Sequence, residues 1–167
     1  LGHPGKKLLF MGQDYAQFAE FNEGKSLEWF MLENERHQQM QDYVKALNHL
    51  YTTYPALSKY DDYTEGFEWI NCIAADETIV SFIRQTDKED ETLLFVCNFT
   101  PVAYEDYRVG VLNQRKHKLI LNSEDAKYGG TDTKRQVSYT PKRQECDGRE
   151  YSIGYPLPAY GVAVFVF

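Results

Sequence analysis

Three carboxylates stand near the start of the chain: Asp14, Glu20 and Glu23. Two carboxylates that converge about 5–10 Å apart can cleave or transfer a glycosidic bond, one as acid then base, the other as nucleophile or activator of water. Tyr15, Phe21 and Trp29 share the same stretch, with Gln13 and Gln17 among them. Flat rings stack on the C–H face of a sugar, and amides bond its hydroxyl rim, so this set suits a polyhydroxylated ligand. The same rings also suit a second job, cementing the loop to the body of the protein, because Trp is usually mostly buried. Sequence alone does not separate the two. The other acidic residues fall mostly in loops or on one outer helix face and read as surface charge.

The remaining motifs carry little chemistry. Ala19-Glu20-Phe21-Asn22-Glu23-Gly24-Lys25-Ser26 fits a loose phosphate-loop pattern, but its first Gly is replaced by Ala and its two glutamates would repel a phosphate. Asn98-Phe99-Thr100 fits a glycosylation acceptor, which has meaning only in a secreted protein, and it reads as a strand-ending turn before Pro101. His3, His37, His49 and His117 show no metal spacing, and no nucleophile-elbow or zinc-protease motif is present. They read as solvated or partly buried side chains. Cys72, Cys97 and Cys146 are odd in number and lack paired spacing. Cys72 and Cys97 sit in apolar runs and are expected to be buried free thiols.

These residues need a scaffold. The run Gly5-Lys6-Lys7-Leu8-Leu9-Phe10-Met11-Gly12 climbs from a Pro-Gly turn, stops at Gly and opens into the polar loop. It reads as one buried parallel strand delivering that loop to a functional surface, where barrels and doubly wound folds place their active sites. No strand–helix unit precedes it, so it reads as the last part of something larger. Met40, Tyr43, Val44, Leu47, Leu50, Tyr51 and Tyr54 then recur at helical spacing and predict an amphipathic helix over 34–54, ended by Pro55. From residue 57 the periodicity changes. Short runs at 67–73, 78–85, 93–99, 118–121, 151–157 and 162–167 are rich in Val, Ile, Phe and Tyr. With no helices between them they predict an antiparallel β-sandwich, with 93–97 central and 162–167 tied into the sheet. Residues 87–91 read as a charged hairpin loop, and 128–135 as a mobile one.

Composition bounds the whole. The chain has 167 residues, 43 % of them hydrophobic and 15 % aromatic, which is enough for a real core in one domain plus part of another. A net charge of −7 argues against a nucleic-acid footprint, which needs clustered Lys and Arg. No apolar run reaches membrane-spanning length and no signal peptide is visible, so a reducing cytoplasm is expected.

Taken in order, several segments resemble one family. Gly2-His3-Pro4-Gly5-Lys6-Lys7-Leu8-Leu9-Phe10-Met11-Gly12, Ala16-Gln17 and Ser26-Leu27-Glu28-Trp29 are similar to the end of the catalytic barrel of bacterial 1,4-α-glucan (glycogen) branching enzymes. Leu50-Tyr51 with Tyr54-Pro55-Ala56-Leu57 resembles that family's helix-to-sandwich junction. Gly66-Phe67-Glu68-Trp69-Ile70, Asn98-Phe99-Thr100-Pro101-Val102, Tyr107-Arg108-Val109-Gly110 and Leu121-Asn122-Ser123 match the pattern of its C-terminal β-domain. The resemblance covers nearly the whole chain. It implies an α-amylase-type enzyme that cuts an α-1,4 link and rejoins the end as an α-1,6 branch by a retaining mechanism, with no cofactor. The family's nucleophile, acid/base and third Asp lie on earlier barrel strands without counterpart here. The chain therefore has no catalytic residue and no metal ligand of its own to assign. Two departures stand out: Gln13-Asp14-Tyr15 where the family usually has Asn-Glu-Phe, and Glu20-Phe21-Asn22 where it has Glu-Trp-Asn.

The resulting expectation has two parts. Residues 1–56 form the last strand, loop and terminal helix of a (β/α)8 barrel, and 57–167 form an all-β sandwich. Tyr15, Gln17, Glu20 and Trp29 are expected at the rim of the parent's active site. The partners expected are α-glucan, through the parent enzyme, and the rest of the barrel, with neither nucleic acid nor membrane. The sandwich caps the barrel in one reading and binds glucan as an independent carbohydrate-binding module in the alternative.

Overall fold

The computed structural model describes residues 1–72, 78–132 and 136–167. The last residue of the strand expected over 67–73, and the last three of the loop expected over 128–135, lie outside the described residues.

A long helix, α1 (Glu35–Thr53), follows the N-terminal segment. Asn34 caps it, its side chain accepting from the Arg36 N–H, and Glu35 in the first turn complements the helix dipole. Pro55 starts a short 3-10 turn, so the helix stops at Tyr54 as expected. Eight strands follow among the described residues: β1 (Phe67–Asn71), β2 (Ile79–Arg84), β3 (Leu93–Asn98), β4 (Tyr104–Val111), β5 (His117–Asn122), β6 (Ser138–Tyr139), β7 (Tyr151–Leu157) and β8 (Val162–Val166). Six form one sheet in the order β1-β2-β3-β8-β5-β6, and β4 pairs with β7 in a second. All paired neighbours are antiparallel.

The order explains the burial. β3 and β8 lie side by side in the middle of the larger sheet. Successive side chains of a strand point to opposite faces. Leu94, Val96, Ala163, Phe165 and Phe167 face the β4–β7 layer, joining Val109, Ile153, Tyr155 and Leu157 in one core. Leu93, Phe95, Cys97 and Val164 face the other way, toward Leu50 of α1 and Leu57. The molecule is thus layered, helix over sheet over hairpin-like pair, and the central strands read as continuous apolar runs because both their faces are covered. Asn98 ends β3. Its side chain donates to the carbonyls of Val102 (2.7 Å) and Pro158 (2.8 Å) and accepts from Thr100 N–H and Oγ1, making the expected turn a four-point clasp.

The structure departs from the sequence reading in four places. The strand expected at 5–12 joins no sheet among the described residues, and Leu8 is 85 % exposed. The chain enters this run from over a sheet face rather than along an edge, since a Cβ on Gly2 would come within 2.7 Å of the Phe95 ring, so it meets no ladder to join. β4 is an additional strand, hidden in the sequence because Glu105, Asp106 and Arg108 interrupt its apolar residues, and β6 is only two residues long. Cys72 is exposed, since it follows an irregularity in the edge strand β1, while Cys97 is buried. Of the histidines, His37 and His117 are buried.

Candidate functional site

The polar loop folds on itself before it meets anything else. Phe10 N–H donates to Gln13 Oε1 and its carbonyl accepts from Gln13 N–H, both at 3.0 Å. Gly12 takes φ +79°, and the Gln17 N–H closes on its carbonyl at 2.9 Å. A Cβ at Gly12 would meet the Gln17 side chain at 2.8 Å, so the turn needs glycine for both reasons.

Inside this turn sits Tyr15, fully buried. Its hydroxyl donates to Gln17 Oε1 at 2.8 Å. The same oxygen accepts from Glu28 N–H at 2.9 Å, and Gln17 Nε2 donates to the Ala19 carbonyl at 2.9 Å. Burial, then the charges of Asp14 and Glu28, push the Tyr15 phenol up, which keeps it a donor. The helix holds the loop from behind. His37 Nδ1–H donates to the Tyr15 carbonyl at 2.7 Å, and Gln41 Nε2 donates to Asp14 at 3.3 Å. Trp29 lies over Tyr15 with ring centroids 5.5 Å apart and remains 53 % exposed.

An open cleft of roughly 630 Å³ results, walled by Phe10, Met11, Phe18 and Phe21, with Gln13, Gln17 and Glu20 supplying polar groups. Phe10 and Phe21 meet edge to face at 5.3 Å. Of the four residues expected at a rim, Gln17 and Glu20 line this cleft, Tyr15 lies beneath it, and Trp29 covers Tyr15 outside the lining. The three carboxylates do not gather there. Glu20 lines the cleft, Asp14 is turned to Gln41, and Glu23 lies outside the lining. Among the described residues no three His, Cys, Asp or Glu side chains are placed to hold a metal ion. Sequence reasoning misses Phe10, Met11 and Phe18 as site residues. The available signal is their apolar character at the edge of and inside an otherwise polar loop; the strand reading absorbs Phe10 and Met11 but does not reach Phe18.

The arrangement supplies exposed rings, amides and one carboxylate. That is enough to bind a polyhydroxylated ligand by stacking and hydrogen bonds. It does not supply the pair of converging carboxylates that glycosidic transfer needs.

Comparison with known proteins decides the family. Residues 69–167, more than half of the chain, match the model described as the α-amylase C-terminal all-β domain. The chain belongs to this α-amylase C-terminal domain family. Its similarity to whole proteins extends beyond that domain. The 1,4-α-glucan branching enzyme of Gloeobacter violaceus is 42 % identical over 164 residues, which is 98 % of this chain and 22 % of that enzyme. The branching enzyme of Butyrivibrio fibrisolvens is 42 % identical over 166 residues, 99 % of this chain and 26 % of its own length. That of Synechococcus elongatus is 43 % identical over 156 residues, 93 % and 20 %. This member of the α-amylase C-terminal domain family therefore spans about a fifth to a quarter of the curated relatives it matches. The match includes the cleft loop and α1 as well as the sandwich. Among the described residues no helix is long and apolar enough to cross a membrane.

Proposed function

We propose that this chain is the C-terminal portion of a 1,4-α-glucan branching enzyme. In this reading residues 1–56 are the last stave, loop and helix of its catalytic barrel, and 57–167 the sandwich that caps it. The observation that carries the reading is the continuity of the similarity. It covers 98 % of the chain at 42 % identity overall, and so takes in the loop and α1 as well as the sandwich rather than stopping at the domain boundary. The exposure of Leu8, Leu9 and Phe30, none of which lines the cleft, supports it, because a band of large apolar side chains marks a surface that packs on further protein. The band's occupant is the remainder of the barrel.

Gln17, Glu20 and Trp29 then stand at the rim of the glucan cleft, with Tyr15 positioning Gln17 from beneath. The bond-breaking carboxylates belong to the rest of the barrel. The substrate is α-glucan, and a cytoplasmic location goes with three free cysteines. The alternative, an independent glucan-binding module, draws on tyrosine-rich strands, but Tyr139 and Tyr155 are buried in the core. The full-length protein incubated with amylose should shift the iodine stain as branches form, while the 167-residue chain alone should leave it unchanged. A full-length protein that leaves the stain unchanged, or a chain that shifts it alone, would refute the reading.

A further inference from the structure

Arg84 is the last residue of β2 and has no exposed surface. Strand alternation points it to the same face as Phe82, where an apolar side chain would complete the layer. Instead a guanidinium is buried there, and such a group persists only when its donors are matched. Its Nη2 pairs with Asp61 Oδ1 at 2.6 Å, Nη1 donates to the Gly2 carbonyl at 2.8 Å, and Nε to the Gly66 carbonyl at 3.2 Å.

The other oxygen of Asp61 accepts from Lys7 Nζ at 3.0 Å. Lys7 and Asp61 are themselves largely buried, with side chains 15 % and 13 % exposed. Lys7 Nζ also donates to the carbonyls of His3 (2.7 Å) and Gly5 (2.6 Å). An ammonium has three donors, and here each has an acceptor. One carboxylate thus joins two cations, and the cations bind the backbone of residues 2–5 on one side and of Gly66 on the other.

These contacts are the polar tie between the N-terminal segment and the sheet. The loop from Gly12 to Gln17 is held separately, by His37 and Gln41 of α1. Phe10 and Met11, which wall the cleft, lie between the two anchorages on an exposed stretch. We infer that Lys7, Asp61 and Arg84 form a latch that fixes residues 1–12 on the sandwich and thereby sets the position of the cleft wall. Lys7 and Asp61 are positioning residues in this account. The proposed branching reaction enters only through the kinetic arm of the test.

Hydrogen exchange, followed by mass spectrometry on the full-length protein, separates a latch from a general structural role. Asp61→Asn keeps the shape and one acceptor but removes the charge. It should speed exchange in residues 1–12 by about tenfold, while amides of β3 and β8 stay within about twofold of the parent. Lys7→Met, at a segment outside the sheets, should give the same regional pattern and serves if Asp61→Asn does not fold. Unchanged exchange in residues 1–12, or loss of protection spread equally through β3 and β8, would overturn the latch. With amylose as substrate, either variant should raise KM at least about threefold with kcat within about twofold, as expected when binding geometry rather than chemistry is loosened. An unchanged KM would overturn the link to the cleft. Failure of the parent protein to branch amylose at all would count against the function proposed above, while the exchange pattern would still decide for or against the latch.

Discussion

His117 gives a pH dependence that can be worked through in full. It opens β5 with its ring fully buried, stacked on Phe167 at 4.0 Å between centroids. Nδ1–H donates to the Arg115 carbonyl at 2.8 Å, and Nε2 is buried without a hydrogen-bond partner. Protonation would place a new donor on Nε2 with nothing to accept from it. Burial accordingly lowers the His117 pKa from 6.5 to about 4, against the smaller opposing effect of the Arg115 carbonyl. Because the folded pKa is depressed, the unfolded chain binds the proton first. Stability is then fully present above about pH 6.5 and falls as the pH drops toward about 4. The span of the shift corresponds to about 3 kcal/mol, of which about 2 kcal/mol is already lost at pH 5. The variant His117→Phe keeps the stack and removes the titration. Urea unfolding of both proteins between pH 4.5 and 7.5 should show the parent losing about 2 kcal/mol more than the variant by pH 5. Parallel pH profiles for the two, or an imidazole that titrates near 6.5 by NMR in the folded parent, would refute the reasoning.

Three further outcomes follow from contacts already described. Asn98→Ala should cost about 2–4 kcal/mol in urea unfolding, because it strands the Val102 and Pro158 carbonyls as well as the Thr100 N–H. Asn34→Ala removes the cap of α1 and should cost about 1 kcal/mol, read as a lower thermal midpoint with the sheet signal following the helix signal. Tyr15→Phe loses one hydrogen bond while Gln17 Oε1 keeps Glu28 N–H, so stability should fall by only about 1 kcal/mol. Its glucan KM in the full-length protein should rise if Gln17 is positioned through Tyr15.

The helix and the central strands can be read in the sequence because each carries its own signal. Met40 to Tyr54 repeat at helical spacing, and residues 93–97 are apolar on both faces because both faces are in fact covered. β4 cannot be read this way. Its inner residues Val109 and Val111 are buried, but Glu105 and Asp106 lie at its exposed end and mask the alternation. The opening run Leu8 to Met11 looks like a buried strand for a sound reason: its apolar side chains are fit for burial, and in this chain they are exposed. What encloses a segment is a tertiary fact that its own residues state only as a requirement. The site is half readable for the same reason. Glu20, Gln17 and the rings are visible as types, but the turn that buries Tyr15 depends on Gly12 and on His37, which lies 22 residues away from Tyr15. The latch is unreadable, since Lys7, Asp61 and Arg84 look like ordinary surface charges until the fold brings them together.

The most direct test of the central claim is to count linkages. Amylose incubated with the full-length protein should gain α-1,6 anomeric proton signals by NMR at the expense of α-1,4 signals. The number of reducing ends should stay constant, because one bond is broken for each one made. A rise in reducing ends without α-1,6 signals would instead mark a hydrolase, and no change in either would mark a protein without this chemistry. Either result would contradict the account.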